Sequence, residues 1–157
     1  MQGKSVVQNG TKLGLAVLAA TTLLVALEGY VGRPYKDVAD ILTDCYGNTH
    51  DVQVNRIRTL EECKALLNKE VLGIASRIDK DLPGITQNQL IALTSFTYNV
   101  GGGAYNSSTL RKKFKAGDYT AGCYELQRWV YITKNGKLEV SPGLQNRRKK
   151  ELELCLR

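Results

Sequence analysis

The sequence contains few of the residues that build metal sites. Among its 157 residues there is one histidine, His50, and the four cysteines form no Cys-x-x-Cys pair. A structural zinc ion needs four Cys or His ligands at short, paired spacings. We therefore expect no metal site, and we expect the protein to work without a cofactor.

The sequence also lacks internal repeats, low-complexity tracts and linker-like stretches. A chain of this length can bury one hydrophobic core without help from metal ions or disulfide bonds. We expect a protein that folds around one core and acts as a monomer.

Acidic residues are outnumbered, with 15 Asp and Glu against 22 Lys and Arg, and the net charge is +7. Such a charge favours a polyanionic partner, which could be nucleic acid, an anionic membrane surface or an acidic cell-wall polymer. The basic clusters at 111–115 and 147–150 occur in helix-like sequence and are better explained as solvated helix faces. Because no nucleic-acid recognition motif accompanies them, nucleic acid is not the expected partner.

The four cysteines, Cys45, Cys63, Cys123 and Cys155, are an even number and so permit disulfide bonds in an oxidising compartment. A chain of this size could equally keep them as buried thiols. If bridges form, we favour Cys45–Cys63 and Cys123–Cys155, because each bridge joins neighbours in the sequence.

Charge is missing from residues 13–27, LGLAVLAATTLLVAL, and residues 1–12 hold Lys4 and Lys12 but no acid. A positive leader followed by about 7–15 apolar residues is the order of a secretory signal, and a stable transmembrane helix needs about 17–25 residues. No A-x-A cleavage site follows. We expect an uncleaved export segment that associates with the membrane through residues 13–27. The alternative is a first core helix, which should carry one polar face.

Beyond the apolar segment, the pattern predicts an α+β fold. Turn residues and β-formers over 30–58 indicate a small hairpin region, and Asn135–Gly136 is the signal of a second hairpin. Capping boxes at Thr59 and Thr86 and the first-turn Pro142 mark helix starts. We expect a small N-terminal hairpin lobe and a larger helical lobe with a cleft between them. The predicted helices cover residues 60–78, 87–100 (ended by Gly101–Gly103), 109–116, 119–131 and 142–156.

Glu28 stands directly at the end of the apolar segment, and Asp37 and Thr43 follow on the Gly-rich hairpin. A carboxyl at the end of a buried helix holds its proton more readily, as a general acid in glycoside cleavage must. Asp37, in wetter surroundings across the cleft, would stabilise positive charge on the sugar or activate a water that Thr43 holds. Such acids are more often surface residues, but their place at a helix end and on a hairpin favours a hydrolytic site.

The stretch EGYVGRPYKD…T…YGNT resembles the active-site segment of the phage lysozymes, glycoside hydrolase family 24, which has the same Glu–eight–Asp–five–Thr spacing. Further blocks match: ECKALLNK at 62–69, SFTYNVGGGAYNSSTLRKKFKAGD at 95–118 and GLQNRRKKELELCL at 143–156. The resemblance covers about residues 28–156 and implies a lysozyme-like fold.

The resemblance further implies that Glu28 is the catalytic acid and that Asp37 and Thr43 organise the nucleophilic water. It implies that Arg147 pairs with Glu28 from the last helix. Tyr98 and Asn99 would line the cleft and contact sugar, and Arg147 is expected with them among the substrate-binding residues. The alternatives are a surface arginine at 147, a core tyrosine at 98 and a helix-capping asparagine at 99.

In composition, the N-terminal segment resembles that of the signal-anchor-release endolysins of lambdoid phages. These resemblances imply an N-terminal anchor, residues 1–27, and a catalytic domain, residues 28–157. They imply an exported endolysin, first tethered to the inner membrane and then periplasmic in a Gram-negative host, that hydrolyses the MurNAc–GlcNAc bond of peptidoglycan. The alternative is a catalytically weak peptidoglycan-binding module of the same fold.

The hairpin departs from the family pattern at three positions. Asn48 stands where the family has a histidine after the turn glycine, and His50 is displaced by two residues. Asp40 and Asp44 stand where the family commonly has a glycine and an apolar residue. Their negative charge beside Asp37 is expected to alter the pH range of activity.

Overall fold

A computed structural model describes residues 3–157 of the chain, with side chains from Gly10 onwards. Lys4, in the predicted basic leader, has its side chain outside the described residues. Over the described range the chain forms helices and two antiparallel hairpins. The helices are α1 (Gly3–Glu28), α2 (Leu60–Asp81), α3 (Gln87–Val100), α4 (Gly102–Ser107), α5 (Thr109–Lys115), α6 (Tyr119–Tyr124), a 3-10 helix (Glu125–Arg128) and α7 (Pro142–Cys155). The strands are β1 (Val31–Lys36), β2 (Leu42–Cys45), β3 (Tyr131–Lys134) and β4 (Lys137–Val140).

Both hairpins predicted from turn residues are confirmed. β1 pairs with β2 so that Tyr35 lies opposite Thr43, with an irregularity between Val31 and Tyr35. β3 pairs with β4 around Asn135–Gly136, whose φ angles are 52° and 74°. Asparagine and glycine supply the left-handed conformation that a two-residue hairpin turn needs.

The helix starts predicted from capping residues are also confirmed. Thr59 and Thr86 each complete a capping box, so α2 and α3 begin directly after them. Gly101, with φ of 89°, ends α3 as predicted, but Gly102 already begins α4. The Gly101–Gly103 run is therefore a bend between two helices and not a longer break.

The helix predicted over 119–131 is wrong in its second half. α6 ends at Tyr124, and a 3-10 helix follows before β3 begins. Leu126 in this turn is fully buried, and Trp129 packs edge-on against Phe96 with ring centroids 5.2 Å apart. The chain changes from an α-helix to the tighter 3-10 helix where these tertiary contacts form, and helix propensity carries no information on such contacts.

Helix α1 packs against α2 and α3. Ala16, Ala20 and Leu24 are fully buried on its inner face, whereas Leu18 on the outer face is 65% exposed. Both faces are apolar, which is why the sequence lacks the polar stripe of an ordinary surface helix. The stretch Gly10–Glu28 is long and apolar enough to cross a membrane, by length and composition alone, and 22% of it is buried in the fold. The division of the chain after this helix stays a prediction.

The cysteine pairing favoured from sequence is confirmed. Cys45–Cys63 ties β2 to α2, and Cys123–Cys155 ties α6 to α7. The alternative of buried free thiols is wrong. The bridged cysteines are 18 residues apart in Cys45–Cys63 and 32 apart in Cys123–Cys155. Each bridge therefore closes a loop and lowers the conformational entropy of the unfolded chain.

A cluster of charges joins the end of α2 to α5. Arg111 donates two hydrogen bonds of 2.8 Å to the Asp81 carboxylate, and Lys115 lies 2.8 Å from Asp81 Oδ1. Tyr105 donates a third, of 3.0 Å. The hydrogen bonds from Arg111 hold the pKa of Asp81 well below its usual range.

This depressed pKa makes Asp81 a source of pH-dependent stability. We expect Asp81→Asn to lower the free energy of unfolding by about 1–2 kcal/mol at pH 7. Because the folded pKa is below the unfolded value of about 3.9, the contribution is complete above pH 4 and is lost as pH falls further. Urea unfolding at pH 7 and at pH 2.5 measures this. The exposed Asp118→Asn is the control, and an equal loss for Asp81→Asn at both pH values would contradict the prediction.

Candidate active site

Glu28 is the last residue of α1, and its side chain is 21% exposed. Its Oε1 accepts a short hydrogen bond from Nη1 of Arg147. Its Oε2 faces the turn after β2, where a Cβ added to Gly47 would lie 3.5 Å away. Gly47 has φ of 79°, so this turn needs a glycine for its conformation, whereas the 3.5 Å approach to the carboxylate is an ordinary van der Waals contact.

Arg147 projects from α7 and is buried, with 6% exposure. Besides its bond to Glu28, it donates a hydrogen bond of 3.0 Å from Nη2 to the Ser95 carbonyl and one of 3.1 Å from Nε to Glu151 Oε1. The structure therefore contains the Glu28–Arg147 pair expected from sequence, and the alternative of a surface arginine is wrong.

Asp37 shapes the turn between β1 and β2. Its Oδ1 accepts hydrogen bonds from the amides of Ala39 (2.8 Å) and Ile41 (2.9 Å). Among the described residues, none donates a hydrogen bond to Oδ2. One carboxylate oxygen is thus fixed by the backbone, and the other is left for a water or a sugar.

Thr43 is buried on β2, and its hydroxyl donates 2.9 Å to the Ile41 carbonyl. Its oxygen keeps lone pairs that can accept a hydrogen bond. Tyr35 lies opposite on β1, and burial, followed by the charges of Asp37 and Glu28, raises the pKa of its hydroxyl. The three residues predicted as catalytic therefore lie around one tyrosine, at the junction of α1 and the hairpin.

The family-atypical residues of the hairpin have charge partners. Asp44 is fully buried and accepts two hydrogen bonds, one of 2.8 Å from Arg58 Nε and one of 2.7 Å from Asn48 Nδ2. Asp40, at the exposed turn, lies 2.8 Å from Lys36. The added negative charges are thus compensated locally, and Asn48 braces the turn through Asp44.

Tyr98 and Asn99 lie at the end of α3. The Tyr98 ring packs against the core, and its hydroxyl donates 2.5 Å to the Tyr46 carbonyl, so the core interpretation describes it well. Burial, followed by the charges of Glu70 and Glu28, raises the pKa of this hydroxyl. Asn99 is exposed and accepts a short hydrogen bond from Arg148, and the cap of α3 is Gly101 instead.

Sequence reasoning missed Glu151, which is fully buried between two arginines of its own helix. A signal was present, because Arg147 and Arg148 precede Glu151 by four and three residues, the spacings that meet on one helix face. Among the described residues, no group of three or more His, Cys, Asp or Glu side chains is placed to hold a metal ion.

Comparison with known proteins agrees with this geometry. The family model for phage lysozyme matches residues 25–151. The chain belongs to the phage lysozyme family. Its relatives include the SAR-endolysin of bacteriophage PS119, 40% identical over 154 residues, which cover 91% of this chain and 88% of the relative. The SAR-endolysin of Enterobacteria phage P21 is 38% identical over 151 residues, covering 91% and 89%.

Solved structures of a muramidase domain and of a phage endolysin show the same fold. The muramidase domain of SpmX from Asticaccaulis excentricus has a TM-score of 0.81 at 27% identity, covering 88% of this chain and 95% of that one. The endolysin from Escherichia coli O157:H7 phage FAHEc1 has a TM-score of 0.78 at 31% identity, covering 88% and 90%. The expected α+β fold, a hairpin lobe beside a larger helical lobe, is confirmed.

Two forms of one phage lysozyme relative differ in their likeness to this structure. The active form of the P1 phage endolysin Lyz has a TM-score of 0.72 at 29% identity and covers 88% of this chain and 83% of that one. The secreted inactive form has a TM-score of 0.50 at 25% identity, covering 68% and 74%. The arrangement described here is therefore closer to that relative's active form.

Proposed function

We propose that this protein is an endolysin that hydrolyses the MurNAc–GlcNAc β-1,4 bond of peptidoglycan and so lyses the host cell. The observation that carries the proposal is the placement of Glu28. Its carboxyl ends α1, pairs with Arg147 and faces the turn at Gly47, which follows the strand that bears Thr43. The net charge of +7 favours its encounter with an anionic wall.

In the proposed reaction, Glu28 protonates the glycosidic oxygen as the bond between that oxygen and C1 of MurNAc breaks. Asp37, through its open Oδ2, and Thr43, as an acceptor, hold a water whose oxygen attacks C1. The water proton passes to Asp37. The atoms and charges balance with this chain, the sugar substrate and the one attacking water.

The other three predicted site residues have two different proposed roles: two of them position other groups, and one contacts the substrate. Arg147 and Tyr98 are held by buried partners, and we propose that they orient Glu28 and the Gly47 turn. Asn99 is exposed, and among the described residues no acceptor takes its amide hydrogens. We propose that it hydrogen-bonds sugar directly.

The test is digestion of purified peptidoglycan by the wild-type protein, with reducing ends counted and fragments identified by mass spectrometry. The proposal requires new MurNAc reducing ends. Binding to peptidoglycan without release of reducing sugar would favour the alternative, a catalytically weak wall-binding module of the same fold.

We further propose that residues 13–27 first tether the exported protein to the inner membrane of a Gram-negative host and are later released to the periplasm. Three observations support this: the length and composition of α1, the names of the relatives, and the likeness to an active form. Ala20 and Leu24 cannot lie in the bilayer and in the protein core at once. Tethering would therefore displace Glu28 from Arg147, and activity would depend on release.

Strengthening the apolar segment should keep the protein in the membrane. Thr22 is exposed on α1, so Thr22→Leu should raise membrane affinity without disturbing the packed face. We expect a larger membrane fraction and later lysis than for Thr120→Leu, a matched change at an exposed position of α6. Fractionation and N-terminal sequencing measure this. An exclusively cytoplasmic protein, or a mature chain that begins after Ala26, would contradict the tether.

A further inference from the structure

A fully buried carboxylate lies directly behind the Glu28–Arg147 pair. Glu151 Oε1 accepts 2.7 Å from the Ser95 hydroxyl and 3.1 Å from Arg147 Nε. Glu151 Oε2 accepts a short hydrogen bond from Arg148 Nη1. The carboxylate is therefore held by one residue of α3 and two of its own helix.

Arg147 has hydrogen bonds from all three of its nitrogens. Nη1 donates to Glu28, Nη2 to the Ser95 carbonyl and Nε to Glu151. A planar guanidinium held at three points has one orientation. The direction in which it meets Glu28 is thus determined by contacts deeper in the core.

Arg148 is held in a similar way on the other side of Glu151. It donates to Asn99 and, over 3.0 Å, to the Trp129 carbonyl, and its guanidinium lies 5.0 Å from the Phe96 ring centroid. The buried Glu151 carboxylate therefore binds both Arg147, which pairs with Glu28, and Arg148, which binds Asn99.

We propose that Glu151 is a positioning residue for the catalytic acid: it compensates the charge of Arg147 and fixes its guanidinium, so that Arg147 meets Glu28 in one orientation. This inference rests on the proposed function, in which Glu28 is the acid. With Glu28 ionised, the four groups Glu28, Arg147, Glu151 and Arg148 sum to zero charge, and with Glu28 protonated they sum to +1. Without Glu151, Arg147 would be compensated by Glu28 alone.

Charged and titratable groups approach Glu28 from each element packed around it. Among the described residues, Arg147 alone forms an ion pair with Glu28, so a change in its compensation acts on the acid most directly. The groups that interact with Glu28 are Arg147 and Arg148 on α7, Tyr35 on β1, Glu70 on α2 and Tyr98 on α3. Behind them, Asp37 and Asp44 act on Tyr35, and Glu151 pairs with the two arginines.

A purely structural ion pair and a positioning residue give different kinetics. If Glu151 served only to attach α7, its loss would lower the melting temperature and leave the pH profile of the folded enzyme unchanged. If it positions the acid, its loss leaves excess positive charge beside Glu28, and the protonated acid disappears at a lower pH.

The experiment measures peptidoglycan hydrolysis by the full chain from pH 4 to 9. For Glu151→Gln, we expect kcat at pH 7 to fall about tenfold with KM unchanged, and the alkaline limb of the profile to move about one pH unit lower. Glu153→Gln is the matched control, because it removes the same charge from the exposed side of the same helix. Its profile should be that of the wild type.

Folded Glu151→Gln with the kcat and pH profile of Glu153→Gln would overturn the proposal. If Glu151→Gln does not fold, Ser95→Ala decides, because it removes one of the two hydrogen bonds to Glu151 Oε1 without changing any charge. We then expect kcat to fall about threefold at unchanged KM, and wild-type kinetics would overturn the proposal. An inactive Glu28→Gln with a normal Glu151→Gln refutes the role of Glu151 alone, and an active Glu28→Gln refutes Glu28 as the acid. A wild-type protein that releases no reducing ends refutes the proposed function itself.

Discussion

Replacing Glu28 with glutamine is expected to lower peptidoglycan hydrolysis at least about 10³-fold, because an amide is far too weak an acid to protonate the leaving oxygen. The fold should survive, since a glutamine oxygen can still accept the hydrogen bond from Arg147. The loss of one charge from this partly exposed pair should cost about 1–3 kcal/mol of stability. Circular dichroism and thermal unfolding establish folding, and counting of reducing ends establishes activity.

Glu70→Gln is the matched control for this experiment. Glu70 is a half-buried glutamate on α2 whose pKa is raised by burial and, to a smaller extent, by Glu28. It therefore shares the surroundings of Glu28 without its position at the hairpin. We expect Glu70→Gln to stay within about tenfold of wild type. Near-normal activity of Glu28→Gln, or equal losses for both variants, would refute the assignment of the acid.

Replacing Arg58 with alanine is expected to lower the free energy of unfolding by about 3–5 kcal/mol, because it leaves the charge of buried Asp44 uncompensated. Asp44 and Arg58 have side chains only 1% and 8% exposed and lie 2.8 Å apart. Arg58 also donates 2.6 Å to the Asp51 carbonyl. Since a domain is stable by about 5–15 kcal/mol, this is a large fraction of the total. Urea unfolding measures it.

Arg56→Ala provides the comparison, because Arg56 pairs with Glu62 at 2.7 Å with side chains 46% and 41% exposed. Such a surface pair contributes little to stability, because solvent screens the attraction between the two charges. The double variant Asp44→Asn/Arg58→Ala should recover part of the stability lost in Arg58→Ala, because no buried charge is then left alone. Equal losses for Arg56→Ala and Arg58→Ala would show that Asp44 is compensated by other means.

The sequence alone predicted the elements whose signals are local. Capping boxes at Thr59 and Thr86 and the Asn135–Gly136 turn depend on backbone hydrogen bonds within a few residues, and all three are present. The four cysteines paired with their neighbours in sequence. The motif around Glu28 likewise indicated the family that the comparisons show.

Other features were decided only by the tertiary structure. The polarity of α1 suggested an anchor, yet the same helix supplies Ala20 and Leu24 to the core, because an apolar face does not reveal what covers it. Asp44 and Asn48 looked like disturbances of the hairpin. Their arrangement with Arg58 shows a satisfied buried network.

The surroundings of Glu28 show most clearly which features the sequence predicted and which features only the tertiary structure decided. The sequence placed Glu28 at a helix end, and family resemblance supplied its partner Arg147, 119 residues away. That Glu151 and Ser95 hold this arginine from behind required the packing of α1, α3 and α7 against one another. Pairings between distant charges depend on which helix faces meet, and neither composition nor spacing within one segment specifies that contact.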